Sequence, residues 1–267
     1  MKIVIEKVRP ERQRKNENGK YTLRKPLPEK WWIYADKRPA LYNTISGMKK
    51  VLAIPLVSKY MICAWEPTGT VYSHALGIVA TEAEADFAII QSTFHDNWAR
   101  ICGSTLETRM RYTPSDCFET FPFPDNYEGL DYIGKSYNEH RQSTMLSRQE
   151  GLTKTYNRFH DLQEIAEDIV QLRALHKKMD EVVAKTYGWD DLDLGHGFHE
   201  TKQGMRYTIS ETARREVLGR LLKLNHERYA EEVALGLHEK GAKARKKGKR
   251  VIEEKAGHVV EQEELAF

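Results

Sequence analysis

The sequence predicts an α+β fold, in which a mixed α/β region is followed by an antiparallel helical segment. Short runs rich in Val, Ile and aromatic residues, bounded by Pro, Gly or Ser, recur up to residue 124 and are typical of strands. The segment Phe121-Pro122-Phe123-Pro124 then excludes a helix, because alternate prolines remove hydrogen-bond donors. Beyond it the apolar spacing alternates between three and four, which indicates helices. We therefore expect domains at 1–127 and 128–238 and a charged, disordered tail at 239–267.

The first region combines strands with two helices. Thr81 and the acids that follow it predict the start of one helix from Glu82 to about Ile101. A short helix is expected at Pro39–Ile45, where Pro lies near the helix start. The remaining expected elements are a basic loop between Arg9 and Lys30, an extended segment at Thr105–Tyr112, and strands at Ile3–Val8, Trp31–Ala35, Lys50–Val57, Lys59–Glu66 and Ala75–Ala80.

The second region predicts two long helices that pack on each other. The first carries an apolar seam in which one of seven positions is a histidine: Leu162, Ile165, Ile169, Leu172, His176, Met179 and Val183. The second should begin at Thr208, with Glu211 completing a capping box, and continue toward Leu237.

Composition excludes several classes of protein. The chain has 267 residues and a net charge of +3, and no apolar run approaches the roughly 18–20 residues that span a membrane. Three cysteines without a CxxC pair argue against a disulfide framework and indicate a cytoplasmic protein. The charge is uneven, because residues 1–111 hold 18 Lys and Arg against 11 Asp and Glu, while the remainder is acidic. A basic first region favours an anionic partner.

No catalytic or metal motif is evident. The sequence contains no P-loop, GxGxxG, GxSxG or HExxH pattern, and no adjacent prolines. His196 and His199 lack further zinc ligands at suitable spacing, so we expect a packed loop there and no metal site. A nuclease that uses Glu200 and Lys202 with Asp191 or Asp193 is a weak alternative, because such a pattern arises readily by chance.

The segment Thr105–Tyr112 is the best candidate for reading bases. As one extended strand it would place Thr105, Glu107, Arg109 and Arg111 on a single face. Arg donates two hydrogen bonds to guanine, and Glu accepts one from cytosine N4. The alternative is an exposed edge strand with a cross-strand ion pair. Weaker base-reading candidates come from the polar row of the preceding helix: Gln91, His95 and Arg100.

The basic N-terminal segment is a candidate for binding phosphates, and the alternative is a solvated loop. Such contacts would give salt-dependent affinity for any sequence. The candidate residues are Arg9, Arg12, Arg14, Lys15, Lys20, Arg24 and Lys25.

Three blocks of sequence resemble a known family. They are Lys30-Trp31-Trp32-x-Tyr34-Ala35, then Gln91-Ser92-x-x-His95-x-x-Trp98-Ala99-Arg100, and the most specific one, Tyr112-Thr113-Pro114-Ser115-Asp116 followed by Phe121-Pro122-Phe123-Pro124. They are similar to the target-recognition domain of type IIG, MmeI-like single-chain restriction-modification DNA methyltransferases. The stretch Leu192–His199 and the segment Arg206–Tyr229 resemble the C-terminal helical end of the same proteins.

The resemblance implies that the chain recognises a sequence in double-stranded DNA. In that family a separate catalytic module binds S-adenosylmethionine and methylates adenine, and this chain lacks the motifs of that module. We therefore expect no cofactor in this chain, and a methyltransferase catalytic module as partner, either in a longer protein or as a separate chain. The alternative function is an assembly protein that docks a methyltransferase or restriction subunit through its helices.

Overall fold

Helices and small antiparallel sheets together confirm the α+β class. The computed structural model describes residues 2–35, 37–106 and 109–238. The chain divides into two units, Met1–Gly47 and Met48–Phe267. This division differs from the boundary expected near residue 127, and the proposed tail at 239–267 lies outside the described residues.

The first unit is helical where the sequence predicted strands. A π-helical turn at Val4–Val8 runs into α1 (Arg9–Arg12), and α2 spans Pro39–Thr44. The strand expected at Ile3–Val8 was therefore wrong, and Trp31–Ala35 forms turns instead of a strand. Short runs of β-branched residues form a strand only when a partner strand pairs with them. The described part of this unit contains no strand pairing beyond the single bridge between Lys15 and Tyr21.

The second unit contains two three-stranded antiparallel sheets. In the first, β1 (Lys50–Pro55) lies between β3 (Ala64–Pro67) and β4 (Leu76–Val79). In the second, β6 (Arg109–Arg111) lies between β2 (Val57–Ser58) and β5 (Ser104–Leu106). Of the strand expected at Lys59–Glu66, only the end is observed, as β3 at Ala64–Pro67.

The helix expected from Glu82 to Ile101 is two helices, α3 (Glu84–Gln91) and α4 (Thr93–Cys102). Ser92 separates them with an extended backbone, and its Oγ accepts a hydrogen bond from the His95 amide. A serine that caps a new helix in this way competes with continuation of the previous one. A short helix, α5, follows at Pro114–Cys117.

Four helices follow residue 127 in the described part of the chain. They are α6 (Leu130–Arg148), α7 (Leu152–Phe159), α8 (Glu167–Thr186) and α9 (Glu211–Ala234). The apolar spacing predicted two of them, α8 and α9.

Two details of these helices differ from the sequence prediction. Leu162 and Ile165 precede α8 and are 53% and 83% exposed, whereas the seam from Ile169 to Val183 is buried. The cap of α9 is Ser210, whose Oγ accepts from the Ala213 amide, instead of Thr208.

Thr208 belongs to a hairpin that the sequence analysis missed. Strands β7 (Gly197–Thr201) and β8 (Gly204–Thr208) pair in antiparallel register between α8 and α9. The two residues between the strands are Lys202 and Gln203.

One apolar core joins elements from both sides of residue 127. It extends from Leu52 on β1 to Leu221 on α9 and includes Phe87 on α3 and Tyr137 on α6. Helices α3 and α6 approach so closely that a Cβ on Gly134 would lie 2.2 Å from the Glu84 carbonyl oxygen. The helices after residue 127 therefore support the strands that precede it.

Candidate nucleic-acid interface

The segment predicted as one extended strand is a hairpin of two strands, β5 and β6. Ser104 pairs with Arg111, Thr105 with Met110, and Leu106 with Arg109. Because directly opposed residues of an antiparallel pair share a face, Arg109 and Arg111 lie on the same face as Leu106. Thr105 lies on the opposite face with Met110, so the expected grouping of Thr105 with the arginines was wrong. Glu107 lies outside the described residues.

The two arginines lie on a strand that the core holds in place. Arg109 and Arg111 are exposed, while Met110 between them is 5% exposed. The next residue, Tyr112, donates its backbone N–H to the Leu56 carbonyl at 2.8 Å. Its hydroxyl lies 3.0 Å from His95 Nε2. The hairpin thus presents two adjacent guanidinium side chains from a fixed base.

Gly103, which leads into β5, brings the hairpin against α4. A Cβ at this position would lie 2.6 Å from the Ala99 carbonyl oxygen and 3.0 Å from that of Arg111. Only glycine fits this approach without a shift of the backbone.

Gln91 does not face the solvent, which contradicts its expected role in reading bases. Its side chain is buried, and its Oε1 accepts hydrogen bonds from the Cys63 amide and from Arg141 Nη1, each at 3.1 Å. Its Nε2 donates to the Met61 carbonyl. Each of its polar atoms therefore has a partner in the core, and the residue stabilises the end of α3.

His95 is also a core residue, so it is not placed to contact a base. Its ring is fully buried against Phe121, with 4.7 Å between the ring centroids. Burial lowers the pKa of His95 to about 3, so the ring is neutral near pH 7. Its hydrogen bond to the Tyr112 hydroxyl positions the strand instead.

Arg100 is partly buried and paired. Its Nε lies 2.9 Å from Asp96 Oδ2, and the Asp96 charge raises the pKa of the guanidinium. It lines a polar cleft together with Ser104 and Thr105 of β5. Of the three weaker candidates, Gln91 also lines this cleft, but its side chain is 3% exposed and bonded within the core, so Arg100 is the more accessible of the two.

The basic segment in the first unit contains side chains of two kinds. Arg12 is half-buried, and its Nη1 donates to the carbonyls of Trp31, at 2.9 Å, and Ile33. This position makes Arg12 a part of the fold. Arg9 lies over the Trp31 ring at 5.5 Å, Lys15 lies over the Tyr21 ring, and Lys25 forms an ion pair with Glu29 at 3.0 Å.

Three further basic side chains of this segment project into solvent. They are Arg14, Lys20 and Arg24, which are exposed and form no ion pair with the described residues. A row of this kind suits contacts with phosphate oxygens.

Four of the candidates for catalysis and for metal binding have structural partners. Asp191 forms two hydrogen bonds with Arg220 at 2.6 and 2.8 Å, and Asp193 accepts one from the Gly195 amide. His196 Nε2 lies 2.8 Å from the buried Asp180. His199 Nε2 lies 2.9 Å from the Gly195 carbonyl oxygen. In the described part of the chain, no group of three His, Cys, Asp or Glu residues is arranged to hold a metal ion.

The three cysteines are buried and form no disulfide within the described part of the chain, as the sequence indicated. Burial raises the pKa of Cys63 to about 12, although the nearby Arg141 opposes the shift. A thiol in this state is a poor nucleophile near pH 7. Over residues 2–35, 37–106 and 109–238, no helix is both long and apolar enough to cross a membrane.

Comparison with known proteins gives a family for the first part of the chain. Residues 4–125 match the family described as "MmeI, target recognition domain". Among solved structures, the type IIL restriction-modification enzyme MmeI in complex with DNA matches with a TM-score of 0.47 and 18% sequence identity. The match covers 68% of this chain and 22% of that chain, so this chain spans about a fifth of that protein. No curated protein matches the chain. Residues 4–125, which include Arg109 and Arg111 of β6, thus match a target recognition domain of the MmeI kind.

Proposed function

We propose that the chain recognises a specific sequence in duplex DNA as the specificity module of a restriction-modification system. One observation carries this proposal. Arg109 and Arg111 are exposed side by side on β6, at the end of the segment that matches the target recognition domain. Arginines that are held at a fixed spacing can each donate two hydrogen bonds to guanine O6 and N7 in the major groove.

A short hairpin is a suitable element for this task. The major groove of B-DNA is about 12 Å wide and admits a two-stranded ribbon. Residues Ser104–Leu106 are exposed along the neighbouring strand, with Leu106 46% exposed. An apolar side chain at this position can contact a thymine methyl group. Glu107 stays a proposed acceptor for cytosine N4 on the basis of its sequence position.

The exposed cations of the first unit would add affinity without specificity. Arg14, Lys20 and Arg24 are the strongest phosphate-binding candidates, since their side chains project into solvent. Arg9, Lys15 and Lys25 are exposed as well, and their aromatic or acidic neighbours leave them able to move toward a phosphate. Arg12 contributes indirectly, by holding the turn at Trp31–Ile33.

The chemistry that follows recognition would take place in another module. We propose that this module is a type IIG-like adenine methyltransferase that binds S-adenosylmethionine in the cytoplasm. It would be joined to this chain in a longer protein or bound as a separate subunit. In this arrangement α8 and α9 would brace the recognition domain against the catalytic module.

Selection of bound duplexes from a random-sequence pool tests the proposal directly. The wild-type chain should enrich one short motif. Arg109→Ala and Arg111→Ala should each relax the preference at one base pair by about 1–3 kcal/mol. Arg215→Ala is a matched control, because Arg215 is an exposed arginine on α9. Equal losses on the enriched motif and on random duplex for both β6 variants would contradict the assignment.

The second candidate function is assembly without appreciable DNA binding. The observation that favours it is a set of exposed apolar side chains in the helical region, with Tyr132 79% and Leu146 77% exposed on α6 and Ile165 83% exposed before α8. Exposed apolar side chains of this size are typical of surfaces that bind other proteins. A gel shift on duplex DNA with and without a methyltransferase subunit separates the two functions. Absence of a shift at low salt in both cases would favour assembly.

A further inference from the structure

A polar cleft of about 810 Å³ lies beside the β5–β6 hairpin. One wall is formed by Arg100 at the end of α4 and by Ser104 and Thr105 of β5. The opposite wall is the β7–β8 hairpin, which contributes Lys202 and Arg206. The second hairpin lies outside residues 4–125, the part that matches the target recognition domain.

Ion pairs neutralise two of the cations that line the cleft, and two others on the β7–β8 wall have no carboxylate partner among the described residues. Arg100 is neutralised by Asp96 at 2.9 Å, and Arg214 by Glu211 at 2.5 Å. Lys202 and Arg206 form no ion pair with a carboxylate of the described residues. Glu200 is exposed, lines the same cleft and is the acid nearest to them in sequence on this wall.

Arg206 is held in the orientation that lines the cleft. It is the cross-strand partner of His199, and its guanidinium lies 4.9 Å from the centroid of the Tyr60 ring. Its Nη1 lies 3.3 Å from the Tyr60 hydroxyl, while its Nε is buried with no hydrogen-bond acceptor among the residues that the structure describes. A guanidinium fixed by stacking, with most of its donors unused, is suited to bind an oxyanion.

The β7–β8 hairpin is attached firmly to the helices behind it. The Tyr207 amide donates to His160 Nδ1 at 3.2 Å, and Phe198 and Tyr207 pack edge to face. At the base of the hairpin, His196 Nε2 lies 2.8 Å from Asp180 Oδ2. The hairpin therefore forms a fixed wall, and its turn residues Lys202 and Gln203 are exposed.

The cleft and the base-reading surface share a strand. Ser104, which lines the cleft, is the register partner of Arg111. A duplex that contacts Arg109 and Arg111 would thus pass beside the mouth of the cleft. We propose that Lys202 and Arg206 bind a backbone phosphate of the same DNA, so that the β7–β8 hairpin is a second contact element beyond the target recognition domain. This inference rests on the proposed DNA recognition.

The test measures binding of the full chain to a random duplex pool as a function of salt concentration. The slope of log K against log salt is negative, and each lost phosphate contact makes it shallower by about 0.9. Lys202→Ala should show this change and bind all sequences about three- to tenfold more weakly. Glu200→Gln should bind severalfold more tightly, because it removes a negative charge near the phosphate. Lys223→Ala, an exposed lysine on α9, is the matched control and should leave the slope unchanged.

Arg206→Lys separates charge from geometry. It keeps the positive charge but loses the planar group that stacks on Tyr60, so binding should weaken with little change of slope. Melting temperatures of all variants show whether the hairpin still folds. Lys202 is exposed and forms no ion pair within residues 2–35, 37–106 and 109–238, so its substitution should not lower the melting temperature.

The possible outcomes distinguish the two proposals. If the wild-type chain does not bind duplex DNA, the proposed function itself fails. If it binds and responds to Arg109→Ala, but Lys202→Ala and Glu200→Gln match the wild type in slope and affinity, then the second contact element is wrong. A disulfide cross-link offers an independent readout, because Cys63, Cys102 and Cys117 are buried. Gln203→Cys should react with a duplex that carries a thiol-reactive tether on its backbone, whereas Lys223→Cys should not.

Discussion

Asp180 on α8 accepts a hydrogen bond from Thr93 Oγ1 at 2.6 Å, at the point where α3 ends and α4 begins. It also accepts the Thr93 amide at 2.8 Å, and His196 Nε2 lies at the same distance. One fully buried carboxylate therefore connects α4, α8 and the base of the β7–β8 hairpin. These elements carry the two walls of the polar cleft.

Loss of the Asp180 charge should destabilise the fold. Asp180→Asn keeps the shape but leaves donors without an acceptor, and breaking a buried pair of this kind costs about 3 kcal/mol. Chemical denaturation measures the change in the free energy of unfolding. Asp190→Asn, at an exposed position on the loop after α8, is the control and should change stability by less than about 0.5 kcal/mol. Comparable stability of the two variants would show that Asp180 does not connect these elements.

The fold should lose stability on acidification because it buries neutral histidines. Burial lowers the pKa of His95 to about 3 and that of His160 to about 2, and burial also lowers the pKa of His176. An unfolded histidine takes up its proton near pH 6.5, whereas the rings of His95 and His160 do not until far lower pH. Their contribution is therefore complete above about pH 6.5 and is lost as the pH falls through the range down to about 3.

The slope of the free energy of unfolding against pH tests whether buried histidines cause this loss of stability. Each buried histidine should contribute up to about 1.4 kcal/mol per pH unit between pH 6 and 4. His95→Phe removes one such group and should make the slope shallower, whatever its effect on stability at pH 7. His74→Gln, at an exposed position, is the control. An unchanged slope for His95→Phe would mean that His95 is protonated in the folded state.

Two helical glycines should respond in opposite directions to the same substitution. A Cβ on Gly134 would lie 2.2 Å from the Glu84 carbonyl oxygen, so Gly134→Ala must push α3 and α6 apart. Overpacking of this kind costs about 1–3 kcal/mol. Gly219 on α9 has nothing within 4 Å of the same atom, so Gly219→Ala should stabilise the helix by about 0.5–1 kcal/mol. Thermal unfolding of the two variants measures whether each substitution stabilises or destabilises the protein. A stabilised Gly134→Ala variant would contradict the close packing of α3 and α6.

The sequence predicts the fold class and the long helices because those depend on apolar periodicity. The seam from Ile169 to Val183 is buried as its spacing indicates, and the β-branched run at Lys50–Pro55 is the central strand of a sheet. The elements that were missed depend on individual contacts. The Ser92 hydroxyl donates to the Ile89 carbonyl of α3 and accepts from the His95 amide of α4, and no periodic pattern marks that position.

The candidate site was predicted unevenly for the same reason. Alternation correctly placed Arg109 and Arg111 together, because both lie on one strand. Thr105 was misplaced because the segment forms two antiparallel strands, in which Thr105 pairs with Met110. Gln91 and His95 look like surface polar residues in sequence, and only their long-range partners Cys63 and Tyr112 show that they belong to the core. A periodic pattern cannot identify partners so distant in the chain.

The exposed cations of the first unit should account for part of the salt dependence of DNA binding. Arg14, Lys20 and Arg24 form no ion pair with the described residues, so a phosphate can replace their counterions without breaking a bond within the protein. The triple alanine variant should make the negative slope of log K against log salt shallower by up to about 2.7, since each contact contributes about 0.9. It should weaken binding to the selected motif and to random duplex by the same factor, because phosphate contacts carry no sequence information. Lys25→Ala is the comparison within the same segment, and its ion pair with Glu29 at 3.0 Å should make its effect smaller than the average for the three. If the triple variant lost sequence preference but kept the wild-type salt dependence, these side chains would contact base edges and not phosphates.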